Sequence, residues 1–202
     1  MTRRTPTRQR LLDAAADAVV SGGWARTRMS DVAAAAGVSR QTLYYEFGSK
    51  DRLAEALALR EADRYADGAE AATDGTASSP AETVRGVVEY TLREAADNPL
   101  LKAVLTDSRD GGAGELLPYL TTRAEALHAA AAERCADRLL SSWPHLPPAD
   151  VALAADVVTR LTVSHLVLPG GRPEQVADDV ARLVDRLLPA APPARPTPGG
   201  AP

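Results

Sequence analysis

Residues 40–47 combine hydrogen-bonding and aromatic side chains in a way that suggests a binding face. If these residues form a helix, Leu43 and Phe47 share one side, because each helical residue turns about 100°. The opposite side and its flanks then carry Arg40, Gln41, Thr42, Tyr44 and Tyr45. Glutamine can bond adenine edges in the major groove, and tyrosine hydroxyls reach phosphates. The arrangement predicts a helix that binds DNA.

Other chemistry-bearing residues do not form a catalytic or metal-binding pattern. His128, His145 and His165 lack metal-ligand spacing with carboxylates. The glycines within residues 111–114 lack the preceding strand and the Lys-Ser/Thr pair of a phosphate loop. The single Cys135 excludes an internal disulfide and fits a reducing cytoplasm. We therefore expect a cytoplasmic protein that is not an enzyme and needs no metal or cofactor.

The charge of the chain is distributed unevenly. The whole chain carries a net charge of −4. Residues 1–50 hold eight basic and four acidic residues, a net of +4, so the remainder carries −8. A basic N-terminal part on an acidic body indicates that only the first part approaches phosphates. Arg3 and Arg4 could form an arm that enters the minor groove, although a loose terminus is the simpler interpretation.

Three short helices are predicted to position the polar face. Pro6, after a capping Thr5, suits the start of the first helix, and Gly22-Gly23 ends it. Ser30 is expected to cap a second helix over 31–36, which Gly37 breaks, and Ser39 to cap a third that runs to Phe47. Small residues at the crossing and a tiny apolar core would join these helices; they are Ala33, Ala36, Val32, Val38, Leu43 and Phe47.

Here the sequence resembles the TetR family of bacterial regulators over about residues 7–57. The resemblance is carried by Leu11-Leu12-Asp13-Ala14-Ala15, Asp31-Val32-Ala33, Ala36-Gly37-Val38-Ser39 and Thr42-Leu43-Tyr44-Tyr45-Glu46-Phe47-Gly48-Ser49-Lys50-Asp51. It implies DNA contacts by Thr27, Arg28, Arg40, Gln41, Thr42, Tyr44, Tyr45 and Lys50. Glu46 departs from the family pattern, which often has a basic residue or histidine there, so no phosphate contact is carried onto it.

The rest of the chain is predicted to be helical. Alanine and leucine dominate the apolar residues and aromatics make up only 4%, which favours an all-α fold. Helical segments are expected over 50–72, 81–97, 99–107, 115–142, 149–168 and 174–188, or about nine helices in all. We divide the chain into a helix-turn-helix domain (1–50), a helical regulatory and dimerisation domain (51–188) and a disordered Pro/Ala/Gly-rich tail (189–202).

The resemblance implies that the second domain binds a small molecule between its helices. Inward-facing candidates are Tyr90, Leu101, Leu105, Leu120, Arg123, Leu127, Thr162 and His165. For the leucines, ordinary core packing is the favoured interpretation. Buried charge is scarce, so a hydrophobic or amphipathic effector is expected, with Arg123 as the partner of a carboxylate.

The last two segments, within 149–188, are rich in apolar residues and resemble the helix pair that joins two subunits in this family. Two recognition helices would then address the two half-sites of a palindromic operator. The leading hypothesis is a homodimeric repressor that leaves DNA when the effector binds. The alternatives are a DNA-binding regulator without a small-molecule ligand, controlled by a protein partner or acting as an activator, and a helical enzyme or scaffold.

Overall fold

The computed structural model of the chain describes residues 6–73, 77–103, 118 and 124–188. Those residues form helices and no strand. Eight helices have described ends: α1 (Pro6–Gly22), α2 (Met29–Ala35), α3 (Arg40–Phe47), α4 (Lys50–Ala72), α5 (Pro80–Asp97), α6 (Glu125–Ser142), α7 (Pro148–Val167) and α8 (Pro173–Leu187). A further helical stretch covers residues 99–103. The all-α prediction of about nine helices is confirmed.

Local signals account for most helix ends in the N-terminal part. The hydroxyl of Ser39 accepts a hydrogen bond from the Thr42 backbone N–H at 3.0 Å, and Ser49 does the same for Arg52 at 3.2 Å. Both satisfy an N–H group that has no partner within its helix. Gly37 adopts a φ of 67°, which side chains with a β-carbon rarely reach, and lets the chain turn sharply between α2 and α3.

One predicted cap is wrong. Helix α2 begins at Met29, two residues earlier than expected, and Arg28 stands at its N-cap position. The Ser30 hydroxyl bonds the neighbouring Asp31 carboxylate at 3.1 Å instead of capping the helix. Met29 is buried in the core, so packing of its side chain draws the helix start forward. The expected cap at Thr5 and the arm at Arg3 and Arg4 lie outside the described residues.

The first core joins α1, α2, α3 and the first turns of α4. Leu11, Ala15, Leu43 and Leu53 have no exposed surface within it. Burial of a leucine side chain contributes about 1.5–3 kcal/mol, so these few residues can hold three short helices that would not be stable alone. The small core predicted from α2 and α3 is confirmed, with Val38 packed at its edge.

The second core lies among α5, α6, α7 and α8, and α4 extends from the first core along α5 and α6. Several residues that the sequence suggested for a subunit interface are buried inside this core. They are Val151, Ala154, Val158, Val176, Val180 and Val184. These side chains are used within the chain itself, because α8 packs closely against α5. The interface expected within residues 149–188 therefore stays a prediction for the side chains that this core leaves uncovered.

Other predicted ends differ by small amounts. Helix α6 begins at Glu125, whereas the sequence predicted a helix from residue 115. Residues 104–117 and 119–123 lie outside the described part, as does the tail over 189–202, so what the sequence predicts for them stays a prediction. Within the described ranges, no helix is both long and apolar enough to cross a membrane.

Candidate DNA-binding face and effector cavity

Helix α3 separates an apolar side from an exposed polar side. Leu43 and Phe47 are 0% and 4% exposed, whereas Tyr45 is 87% exposed and Tyr44 is 44% exposed. Gln41 and Arg40 are also exposed. The buried side fixes the helix on the first core, so the exposed side chains project from a rigid base. This is the distribution that the helical spacing predicted.

The structure places the remaining candidates on α2 and α3 in different surroundings. Arg28 is exposed at the start of α2, and Thr42 is half-buried with its hydroxyl 2.9 Å from that of Ser39. Thr27 is buried, and its hydroxyl donates to the Gly23 carbonyl at 3.0 Å. Thr27 therefore orders the turn between α1 and α2 and does not share the exposed face with the other candidates.

Lys50 is anchored by a residue that the sequence did not single out. Its Nζ donates to the Trp24 carbonyl at 2.9 Å and lies 5.0 Å from the centre of the Trp24 ring, while Trp24 itself is only 3% exposed. An ammonium above an indole ring is attracted by the ring's negative face. Trp24 thereby holds the Lys50 charge at the start of α4, next to α3.

A second missed contact ties α1 to the end of α3. The Arg8 guanidinium lies 4.4 Å from the centre of the Phe47 ring, and its Nη1 approaches the Glu46 carbonyl at 3.4 Å. Arg8 and Lys50 are both cations placed beside α3 by contacts over 26 or more residues. No short-range spacing rule relates such pairs, which is why the sequence did not reveal them.

The second domain contains a cavity of about 830 Å³ between α4, α5, α6 and α7. Its size is in the range of small-molecule sites. Of the predicted residues, Leu101, Leu127 and Thr162 line it. Tyr90 and His165 do not. The Tyr90 hydroxyl fills the space beside Gly68 of α4, and the His165 ring lies against Gly170. Leu105, Leu120 and Arg123 lie outside the described residues.

Three of the four threonines in the cavity wall have hydroxyls that already bond the backbone. Thr91, Thr159 and Thr162 each donate to a backbone carbonyl one helical turn earlier, at 2.7–2.8 Å. Alanine, leucine and valine supply much of the remaining wall. These three hydroxyls are therefore not free to donate to an occupant, and the aliphatic part of the wall is suited to an apolar chain or ring.

Two buried donors in the wall lack a hydrogen-bond partner among the described residues. They are the Tyr65 hydroxyl and the Arg138 Nε. Burial raises the pKa of Tyr65, so its hydroxyl keeps its proton and remains a donor. Burial also raises the pKa of the Cys135 thiol to about 11, which makes it an unreactive wall group. Tyr65 lies at helical spacing from Leu57 and Glu61, so the sequence does contain a signal that it shares their side of α4.

The cavity shares part of its wall with the first core. Ala54, Leu57 and Leu100 belong to both. Leu100 is held by Asn98, whose side-chain oxygen accepts from the backbone N–H groups of Leu100 and Leu101 at 2.8 and 3.0 Å. An occupant of the cavity at this end would touch residues that support the DNA-binding helices.

Comparison with known proteins agrees with this two-part arrangement. The family described as "Bacterial regulatory proteins, tetR family" matches residues 11–57, and "Bacterial Tetracyclin repressor, C-terminal domain" matches residues 80–186. The chain belongs to the TetR family. It is therefore a helix-turn-helix transcriptional regulator with a C-terminal ligand-binding domain, and the family is not enzymatic. The first match spans α1 to the start of α4, and the second spans α5 to most of α8.

Individual TetR-family proteins are similar along most of the chain. The HTH-type transcriptional regulator AlkX of Mycobacterium tuberculosis is 33% identical over 177 residues, which cover 88% of this chain and 82% of that protein. The crystal structure of the TetR family repressor AlkX from Dietzia sp., implicated in biodegradation of n-alkanes, is 30% identical with a TM-score of 0.74. It covers 93% of this chain and 97% of the other. The Rhodococcus erythropolis repressor QsdR, 21% identical with a TM-score of 0.64, covers 90% and 94% and shows the same fold.

Proposed function

We propose that this TetR-family regulator is a homodimeric repressor that binds palindromic operator DNA and is released by a small hydrophobic or amphipathic effector. The observation that carries the proposal is the exposed side of α3, with Gln41, Tyr44 and Tyr45 on a helix fixed by buried Leu43 and Phe47. A helix of this kind enters the major groove, where glutamine reads base edges and tyrosine hydroxyls bind phosphates. A repressor of this kind acts where the bacterial DNA is, so we propose a cytoplasmic location.

The proposed DNA contacts divide into two kinds. Gln41 and Thr42 are assigned to base edges, because α3 presents them to the groove. The cationic and tyrosine side chains around the helix are assigned to phosphates, namely Arg28, Arg40, Tyr44, Tyr45 and Lys50. Phosphate contacts supply most of the affinity, and base contacts supply the sequence preference.

The proposed effector site is the cavity of about 830 Å³. Its aliphatic side chains, and the three wall threonines whose hydroxyls already bond the backbone, favour a hydrophobic or amphipathic molecule. The n-alkane context of the similar Dietzia repressor supports the same chemical class. Leu57 and Leu100 belong to both the cavity wall and the first core, which gives a physical link between the effector site and the DNA-binding helices. An effector that binds more tightly to a dimer conformation with one spacing of the two recognition helices would shift the equilibrium toward that conformation.

The proposed subunit interface lies on α7 and α8, within residues 149–188. One side of α7 carries Leu153, Val157 and Leu161 at helical spacing, and Leu168 follows just after its end. Of these residues, Leu161 also packs at the edge of the second core. Leu153 and Leu168 are 54% and 74% exposed. A second copy related by two-fold symmetry would cover the same side chains on both subunits.

The proposal is tested with the full chain and the intergenic DNA upstream of its own gene. Gel shifts at several salt concentrations should show a specific complex, whose affinity falls as salt rises. Addition of medium-chain aliphatic probes should then release the DNA. Absence of binding at low salt to any neighbouring intergenic DNA would refute the repressor proposal. DNA binding that no small molecule affects would favour the alternative of a regulator controlled by a protein partner or acting as an activator.

A further inference from the structure

A small second cavity adjoins one end of the large one. It has a volume of about 320 Å³ and is lined by Ala77, Thr83, Arg138, Ser142 and Trp143. Thr83, Arg138 and Ser142 also line the large cavity, so they stand where the two spaces meet. Each of these three side chains carries hydrogen-bonding atoms, in contrast to the aliphatic wall beyond them. One end of the effector site is therefore polar.

Arg138 is the cation with the least complete pairing in this wall. Its Nη2 donates to the Thr73 hydroxyl at 2.6 Å, and the nearest carboxylate oxygen among the described residues, on Glu70, is 3.8 Å from Nη1. Its buried Nε has no hydrogen-bond partner among the described residues. Leaving a buried charged donor unpaired is costly, so the site favours an occupant that supplies an acceptor.

Arg134, one helical turn earlier on α6, lines the large cavity as well but is differently paired. Its guanidinium lies 2.7 Å from Asp67, 3.7 Å from Glu70 and 3.9 Å from Asp63. The charge of Arg134 is thus already balanced by three carboxylates of α4. This contrast selects Arg138, and not Arg134, as the cation available to a ligand.

We infer that Arg138, with Thr83 and Ser142, forms a subsite for the carboxylate end of an amphipathic effector whose aliphatic part occupies the large cavity. The inference rests on the proposed effector function of that cavity. A planar guanidinium matches the two oxygens of a carboxylate better than other cations do. Asp137 and Glu70 also line the large cavity, but both are exposed to solvent, which screens their repulsion of the headgroup.

The same arginine connects the subsite to α4. Thr73 follows directly after the last residue of α4, and Glu70 lies in its final turn. A carboxylate that binds the Arg138 guanidinium competes with both contacts. Helix α4 begins next to the DNA-binding helices, so a change at its far end is transmitted along one continuous helix. Occupancy of the subsite is thereby linked to the position of the DNA-binding part.

The test compares decanoate with decan-1-ol, which share a chain length and differ in the charge of the headgroup. Calorimetric titration of the full-length protein at pH 7.5 should give a dissociation constant for decanoate about 10-fold or more below that for decan-1-ol. Arg138→Met should abolish this preference, with the loss of affinity larger for decanoate than for decan-1-ol. Arg138→Lys should retain part of it. Arg182→Met, at an exposed arginine of α8 that lines neither cavity, is the control and should keep the full preference.

Equal binding of the two probes by the unsubstituted protein, or a preference that survives in a folded Arg138→Met variant, would overturn the subsite. Thermal unfolding of each variant shows whether it is folded, and Arg138→Lys preserves the test if Arg138→Met is not. Operator gel shifts separate this outcome from failure of the proposed function. Release of DNA by decan-1-ol with no preference for decanoate refutes only the subsite, whereas absence of DNA binding refutes the repressor.

Discussion

Gln41, Tyr44 and Tyr45 are exposed on α3 because Leu43 and Phe47 face the first core. The same short helix thus carries both its anchor and its binding face. Side chains beside it are held by specific contacts, such as the Lys50 ammonium at the Trp24 carbonyl. At the scale of single residues, the N-terminal part has the features that DNA recognition needs: rigid placement, hydrogen-bonding groups and positive charge.

Substitution of Arg40 should weaken DNA binding without loss of sequence preference. Arg40 is exposed near the N-terminal end of α3 and is assigned to a phosphate. In Arg40→Ala, the slope of log affinity against log salt should decrease by about one, because one fewer counterion is released. Fluorescence anisotropy with operator and unrelated DNA measures both quantities.

Lys102→Ala is the control for that measurement. Lys102 is an exposed cation of the second domain, 3.7 Å from Asp97. Its removal should leave the salt slope unchanged. An equal change in both variants would mean that the decrease reflects overall charge and not a contact made by α3.

A pH-dependent contribution to stability is expected at Asp156. Hydrogen bonds from Arg160 and His128 lower the pKa of Asp156 from its usual 3.8 to about 2. A carboxyl group whose pKa is lower in the folded state than in the unfolded state stabilises the fold at pH values above the unfolded-state pKa. This contribution is lost as the pH falls through the folded-state pKa. Asp156→Asn should therefore lower Tm at pH 5, and the difference from the original protein should shrink between pH 4 and 2.

Arg160→Gln removes the larger of the two causes and should show the same trend with a smaller effect at pH 5. Differential scanning calorimetry across this range measures both variants. A Tm difference for Asp156→Asn that stays constant from pH 5 to pH 2 would contradict the assigned pKa shift.

At the scale of elements, the turn between α2 and α3 depends on one backbone conformation. Gly37 has a φ of 67°, and no atom lies within 4 Å of the position that a β-carbon would take. A substitution there is therefore unfavourable because of the backbone conformation and not because of a clash with a neighbouring atom. Placing an L-residue in the left-handed region costs about 1–2 kcal/mol of conformational free energy.

Gly37→Ala should lower the free energy of unfolding by about 1–2 kcal/mol, as measured by urea titration. Gly22→Ala is a matched control, because Gly22 is the last residue of α1 and does not have a positive φ. Alanine at that position should leave stability unchanged or raise it. The same loss in both variants would show that the turn does not require glycine.

Helix α4 has a different role, since it is the element common to both parts of the molecule. Its first turns supply Leu53 and Leu57 to the first core, and its later turns supply Ala62 and Tyr65 to the cavity wall. Arg60 joins it to α1 through Asp13 at 2.7 Å. Any movement of the cavity wall along this helix therefore acts directly on the support of α1 and α3.

At the scale of the whole molecule, the apolar side of α7 should control assembly. Leu153→Glu places a charge on the proposed interface, where its desolvation opposes association. Size-exclusion chromatography with light scattering should show a dimer for the unsubstituted chain and a monomer for the variant. The affinity of the monomeric variant for a palindromic operator should also fall, because one subunit binds only one half-site.

Val20→Glu is the control, since Val20 is 47% exposed on α1, away from α7 and α8. It should leave the dimer intact. A monomeric mass for the unsubstituted protein at micromolar concentration would contradict the proposed interface, as would a dimer that persists in Leu153→Glu.

The amino-acid sequence by itself determined the helices, the TetR-family resemblance and the outward face of α3. These features depend on caps, glycines and spacings of three or four residues, which act locally. The Ser39 cap and the Gly37 turn were predicted for that reason. Ser30 was assigned wrongly, because burial of Met29 in the core overrides a local capping preference.

Only the tertiary structure decided how the helices combine. Lys50 meets Trp24 across 26 residues, and the cavity wall draws on α4 through α7 together with residues 98–101. Such contacts depend on the angles and distances at which helices pack, which no single helix encodes. Tyr90 and His165 were therefore placed in the cavity by the sequence but lie outside its wall. Packing of the helices also places the buried Arg138 Nε in the wall, without a hydrogen-bond partner among the described residues, which the sequence of α6 alone does not indicate.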